Sequence, residues 1–233
     1  MAQKNRPRST VTLAGGCVFA ALAAVLTLAR AAIQYPPIPY LQIDFAEIPI
    51  MISFFLFGPL AAVVAEVIHW LFLNVTGSDA PLGPAIKIVA VLSTLFGFWL
   101  GSLAYTRLGR GGSAVALSIM FAVGTLLRVA VMTVANYVIL LYVGPVFFGA
   151  DYMSFAKTVL QSALHWEFSS DAAALFWVLM FTALYNVINL LVGAIPAGLI
   201  VPPVARAFKS ITTFDAWLSR NVIRADITKQ TKL

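Results

Sequence analysis

Apolar residues run along this chain in long unbroken stretches, not in the alternation of half-buried strands. The first covers residues 11–32, long enough for a helix to cross a bilayer. Pro36, Pro37 and Pro39 then forbid helix and predict a connecting loop through Asp44. A second apolar stretch, interrupted by Gly58-Pro59, is read as two short helices, 46–58 and 59–74, or as one kinked helix. Further spans are predicted over 85–106 and 113–143, with a break at residues 144–149. Residues 151–168 are mildly amphipathic and predict a helix on the membrane surface. The stretch 172–208 is too long for one straight crossing at about 1.5 Å per residue. It is expected to break near Tyr185-Asn186 or Pro196. In the tail, 209–233, Phe214, Trp217, Leu218 and Val222 recur at helical spacing and predict a short interfacial helix.

Composition makes this pattern a membrane protein. Of 233 residues, 61% are hydrophobic and 10% charged, where a soluble domain carries about 25% charged. The mean hydropathy of +0.93 leaves more apolar surface than a soluble core of this size hides. Continuous apolar runs exclude a barrel, whose strands alternate. The fold class is therefore all-α, a polytopic helical bundle. The lone Cys17 carries no redox information, and the first apolar run reads as a retained helix after a basic segment, 1–10. A net charge of +6 fits cytoplasmic Lys and Arg better than nucleic-acid binding.

Charge also settles the Gly58-Pro59 ambiguity. Lys4, Arg6 and Arg8 belong in the cytoplasm. If the chain reverses at Gly58-Pro59, then Arg107, Arg110, Arg206, Lys209, Arg220, Arg224, Lys229 and Lys232 fall on that same side. Asp44, Glu47, Asp79, Asp151, Glu167 and Asp171 collect on the other. The expectation is six membrane segments, a multi-pass cell-membrane protein, and both termini in the cytoplasm.

Polar groups at membrane depth are costly and default to functional hypotheses. Here they are Glu66, His69, Lys87, Arg128, Asn136, Asn186 and Asn189. The topology draws Lys87, Asn136, Asn186 and Asn189 toward the outer leaflet, beneath the loop bearing Asp44, Phe45 and Glu47, with Tyr137, Tyr185 and Trp70 adding aromatic surface. A mostly apolar pocket with a few placed polar groups suits a small molecule. Alternatively the asparagines only join helices. Glu66 and His69 have possible metal spacing, but no second pair completes a ligand set, so no metal is expected; a Glu66–Arg128 ion pair is expected instead. No catalytic constellation is evident, although an intramembrane enzyme using Glu66, His69 and Arg128 is a competing class. Asn74-Val75-Thr76 matches a glycosylation sequon, a pattern frequent by chance. Gly16, Ala20 and Ala24 form a small-residue stripe for close helix approach, within the bundle or toward a partner.

The segment Leu41-Gln-Ile-Asp-Phe-Ala-Glu-Ile-Pro49, followed by Phe57-Gly-Pro-Leu-Ala61 and Glu66, resembles the riboflavin-type S component of energy-coupling factor (ECF) transporters. Arg128-Val-Ala-Val-Met-Thr-Val-Ala-Asn-Tyr137 and Tyr185-Asn186 resemble later segments of that family, in the same order. The resemblance implies the six-helix S-component fold and riboflavin captured from outside as the transported ligand, without a cofactor. It also implies docking on a T subunit driven by two ABC-type ATPase subunits. By position, Asn136 and Asn186 would bond the flavin, while Leu41, Asp44, Phe45 and Glu47 would close over it. Lys87, Tyr137 and Asn189 complete the expected site. The family often has Asn where Lys87 stands and Lys where Asn189 stands. The lysine would thus have changed helices while the pocket keeps one cation, preserving riboflavin or marking a related vitamin or nucleobase-like ligand. The coupling motif of the first helix aligns as Cys17 and Ala21, or as Ala20 and Ala24, beside Gly16.

Overall fold

A computed structural model describes residues 9–77, 80–108, 112–149, 152–211 and 216–223. Lys4, Arg6, Arg8, Asp79, Arg110, Asp151, Phe214, Arg224, Lys229 and Lys232 lie outside them.

The element order is α1 (Ser9–Leu28), β1 (Ala32–Gln34), β2 (Gln42–Asp44), α2 (Glu47–Phe57), α3 (Pro59–Thr76), α4 (Leu82–Leu108), α5 (Ser113–Val138), α6 (Gly144–Phe148), α7 (Tyr152–Leu164) and α8 (Asp171–Ile211). A π-helical turn, Ile139–Val143, joins α5 to α6, and another spans Ser219–Ile223. Among the described residues, five helices are long and apolar enough to cross a membrane. α2 is the exception: 11 residues rise only about 16 Å. It is apolar nearly all round, and a helix of that composition has to be enclosed. Pro49 through Leu56 are accordingly all buried.

The chain reverses at Gly58-Pro59, as the charge pattern predicts. The first half of α1 meets the end of α2, where a Cβ on Gly15 would lie 2.8 Å from the Phe57 ring. The end of α1 meets the end of α3, where Thr27 bonds His69 at 2.9 Å. α2 therefore runs against α1, and α3 runs with it. Gly58 allows the reversal with φ +100°, a conformation that side chains rarely adopt. Pro59 starts α3 where its missing N–H costs nothing. α4 and α5 pack antiparallel at backbone contact: a Cβ on Gly97 would lie 2.5 Å from the Gly124 Cα.

Several expectations need amendment. The proline-rich loop folds back as a two-stranded hairpin, pairing Ala32 with Asp44 and Gln34 with Gln42. α5 does not break at Gly144; helical structure continues to Phe148 and stops at Gly149, φ +103°. α8 is one 41-residue helix despite Pro196, Pro202 and Pro203. Proline in a membrane helix removes single bonds that neighbouring groups compensate, and excess length is taken up by tilt or by projection beyond the hydrocarbon. The tail turn is not interfacial. Leu218 and Val222 are buried in the bundle core, and Trp217 packs edge-on against Phe54 at 5.2 Å. α7, in the segment expected at the membrane surface, is a helix that buries Ala156 and Leu160. These join Tyr35, Ile38 and Val178 in a small second core.

Candidate functional site

At the hairpin end the helices splay around a cavity of about 1440 Å³. Thr27 and Arg30 reach it from the end of α1, Gln34, Tyr40, Leu41, Gln42 and Asp44 from the hairpin, and Glu47 from α2. Lys87 comes from α4, Arg128, Met132 and Asn136 from α5, and Thr182, Tyr185, Asn186 and Asn189 from α8. Tyr152 and Phe155 of α7 cover one side, and Phe155 stacks on Tyr40 at 5.9 Å.

The cavity floor is a polar network that ties five elements together. Arg128, 1% exposed, grips Glu47 with two bonds of 2.7 and 3.0 Å. A guanidinium forked on a carboxylate is the geometry in which a buried pair is stable. Arg128 Nε also donates to Asn186 Oδ1 at 3.1 Å, while Asn186 Nδ2 donates to the Thr182 carbonyl at 2.9 Å. Asn189 Nδ2 donates to Glu47 at 2.8 Å, and its Oδ1 accepts the Asp44 N–H at 3.0 Å. Lys87 closes the network by pairing with Asp44. Tyr185 donates to the Gln42 carbonyl at 2.7 Å, fixing the hairpin to α8. In the hairpin, burial raises the Tyr35 phenol above its ordinary value, so it stays neutral.

Of the expected binding residues, Leu41, Asp44, Glu47, Lys87, Asn136, Asn186 and Asn189 converge on the cavity. Phe45 does not. Asp44 ends β2 and lines the cavity, while Phe45 belongs to the turn into α2 and lies in an apolar groove with Ile188, Leu191 and Ile195. Tyr137 is also turned away, 40% exposed and packed edge-on against Tyr142. One helical step from Asn136 carries it about 100° off the cavity face. The expected Glu66–Arg128 pair is absent, because Arg128 is committed to Glu47; Glu66 faces His69 instead, at 3.9 Å. Glu66 and His69 do not line the cavity, so the three residues of the enzyme reading do not share a site. Asn186 and Asn189 both line the cavity and join elements, whereas Asn136 lines it with its amide bonded to the Met132 carbonyl of its own helix.

The sequence reading missed Tyr40, Gln34, Gln42 and Thr182. Thr182 was legible, four residues before Asn186 and so on its helix face. The two glutamines face each other only because the hairpin forms. The small-residue stripe divides: Gly16 and Ala20 are buried, Ala24 is half-buried, and Cys17 and Ala21 are exposed. Asn74 and Thr76 belong to the last turn of α3, their side chains bonded to Trp70 and Phe72 carbonyls.

A family model described as ECF transporter, substrate-specific component, matches residues 11–205. The chain belongs to this family. Among relatives of this S component is the riboflavin transporter RibU of Staphylococcus aureus (strain TCH60), 27% identical over 163 residues. The match covers 70% of this chain and 80% of that protein. The riboflavin transporter FmnP of Bacillus subtilis (strain 168) is 32% identical over 111 residues, 46% of this chain and 55% of its own. A solved structure described as the S component of a bacterial ECF transporter superposes with a TM-score of 0.56 at 18% identity. It covers 88% of this chain and 98% of that one, and it establishes the shared fold.

Proposed function

We propose that this S component captures riboflavin in the hairpin-end cavity, from the outside of the cell, and passes it on after docking on a T subunit driven by two ATPases. The observation that carries the reading is the cavity itself. It combines asparagine and glutamine amides with the Tyr40, Tyr152 and Phe155 rings, on a chain related to two riboflavin transporters. A flat heteroaromatic ring with an amide-like edge needs aromatic faces, and it needs groups that both donate and accept. Leu41, Asp44, Glu47, Lys87, Asn136, Asn186 and Asn189 form the binding set. Lys87 and Asn189 both act on Asp44, which supports the idea that the lysine has changed helices while serving the same part of the pocket.

The outward orientation of the cavity, with both termini cytoplasmic, is supported by the distribution of Lys and Arg. Cys17 and Ala21, small and exposed on α1, supply a stripe against which a T-subunit helix could pack closely. Titration of the purified protein with riboflavin, followed by flavin fluorescence, tests the reading. Saturable quenching is expected, and unchanged fluorescence at micromolar ligand overturns it.

A further inference from the structure

Glu66 and His69 are fully buried in α3, yet the binding reading gives them no task. Both Glu66 carboxyl oxygens and His69 Nδ1 lack a hydrogen-bond partner among the described residues. Such groups are rare in native structures and call for an explanation. Arg128 cannot supply it, being held by Glu47. His69 Nδ1 lies 3.9 Å from Glu66 Oε2, just beyond hydrogen-bond length and within reach by a small side-chain rotation. A bare carboxylate beside a neutral imidazole is a net buried charge. One proton held between the two makes the pair neutral, which is the inexpensive state in a low-dielectric interior.

Two connections lead from this pair to the cavity. His69 Nε2 bonds the hydroxyl of Thr27 at 2.9 Å, and Thr27 lines the cavity. The charged groups that act on Glu66 from the elements around it are Asp44 of the hairpin, Glu47 of α2, Lys87 of α4 and Arg128 of α5. All four line the cavity. A change of charge on the pair is therefore felt by the residues that shape the binding site.

We infer that Glu66 and His69 form a proton-binding site beneath the cavity, and that the proton held there is linked to substrate binding. Loss of the proton places a negative charge under the floor, drawing on Lys87 and Arg128 and repelling Asp44 and Glu47. Both stability and affinity are then full while the pair is protonated and fall as rising pH removes the proton.

The test compares the full chain with Glu66→Gln, which is neutral at every pH, and with His69→Gln as a second variant. The stability arm measures thermal unfolding in detergent without ligand, from about pH 5 to pH 9. The wild type is expected to lose stability toward the alkaline end while Glu66→Gln is flatter; parallel profiles overturn the proton site. The affinity arm rests on the riboflavin reading. Riboflavin affinity of the wild type is expected to fall toward a limit of about tenfold per pH unit as one linked proton is lost. Glu66→Gln should flatten that slope, while His69→Gln, which keeps the carboxyl, should move the pH at which the fall begins. A slope that stays intact in Glu66→Gln arises elsewhere, and that result overturns the link. Absence of riboflavin binding at every pH refutes the substrate assignment, while the stability arm still decides the proton site.

Discussion

Replacing Arg128 by Met tests the cavity floor most directly. Arg128 and Glu47 are each 1% exposed. Removing the guanidinium takes two bonds from Glu47, at 2.7 and 3.0 Å, and one from Asn186, at 3.1 Å. Glu47 keeps the Asn189 amide at 2.8 Å, which cannot neutralise it. Breaking a buried pair by deleting one partner costs about 3–5 kcal/mol, because the remaining charge is left uncompensated. At about 1.4 kcal/mol per tenfold, that is roughly a hundredfold to several thousandfold in the folding equilibrium. Met occupies much of the arginine stem volume, so the loss reports charge more than packing. The companion Glu47→Gln in the Arg128→Met background removes the stranded charge and should recover most of the stability. The assay is thermal unfolding of the purified protein in detergent, with each single variant and the double variant measured in one buffer. If Arg128→Met unfolds like wild type, or if the double variant is as unstable as the sum of the singles, the two residues do not act as a pair.

Asn136→Ala removes an amide that lines the cavity and should weaken riboflavin binding by about tenfold, one hydrogen bond's contribution; unchanged affinity by fluorescence titration removes Asn136 from the site. Lys87→Met releases Asp44 and loosens the hairpin. Because the pair is partly exposed, the expected cost is at most about 1 kcal/mol, roughly fivefold in riboflavin affinity. Gly97→Val drives side-chain atoms into the Gly124 backbone and should destabilise by about 1–3 kcal/mol, seen as a lower unfolding temperature. Ala21→Leu on the exposed stripe of α1 should leave riboflavin binding intact and abolish co-purification with the T subunit and its ATPases. Retained co-purification moves the docking surface elsewhere.

Much of the architecture was determined by the sequence alone, because a bilayer imposes a length and a charge rule on every crossing. Continuous apolar runs located the spans, and the sidedness of Lys and Arg fixed the reversal at Gly58-Pro59 before any contact was known. The same topology brought Lys87, Asn136, Asn186 and Asn189 to one end. Only the tertiary structure decided which polar groups meet. Glu66 and Glu47 compete for one arginine, and the winner depends on how deep α2 sits and on which face of α3 turns inward. Likewise Asp44 faces the cavity and Phe45 does not, since the strand ends at Asp44 and the turn into α2 carries Phe45 away. The unbroken course of α8 through three prolines also depended on packing, which local propensity does not contain. The membrane segments were thus legible because hydrophobicity and charge act residue by residue. The partners of each buried charge were not, because they are chosen by distances of a few ångströms between helices far apart in sequence.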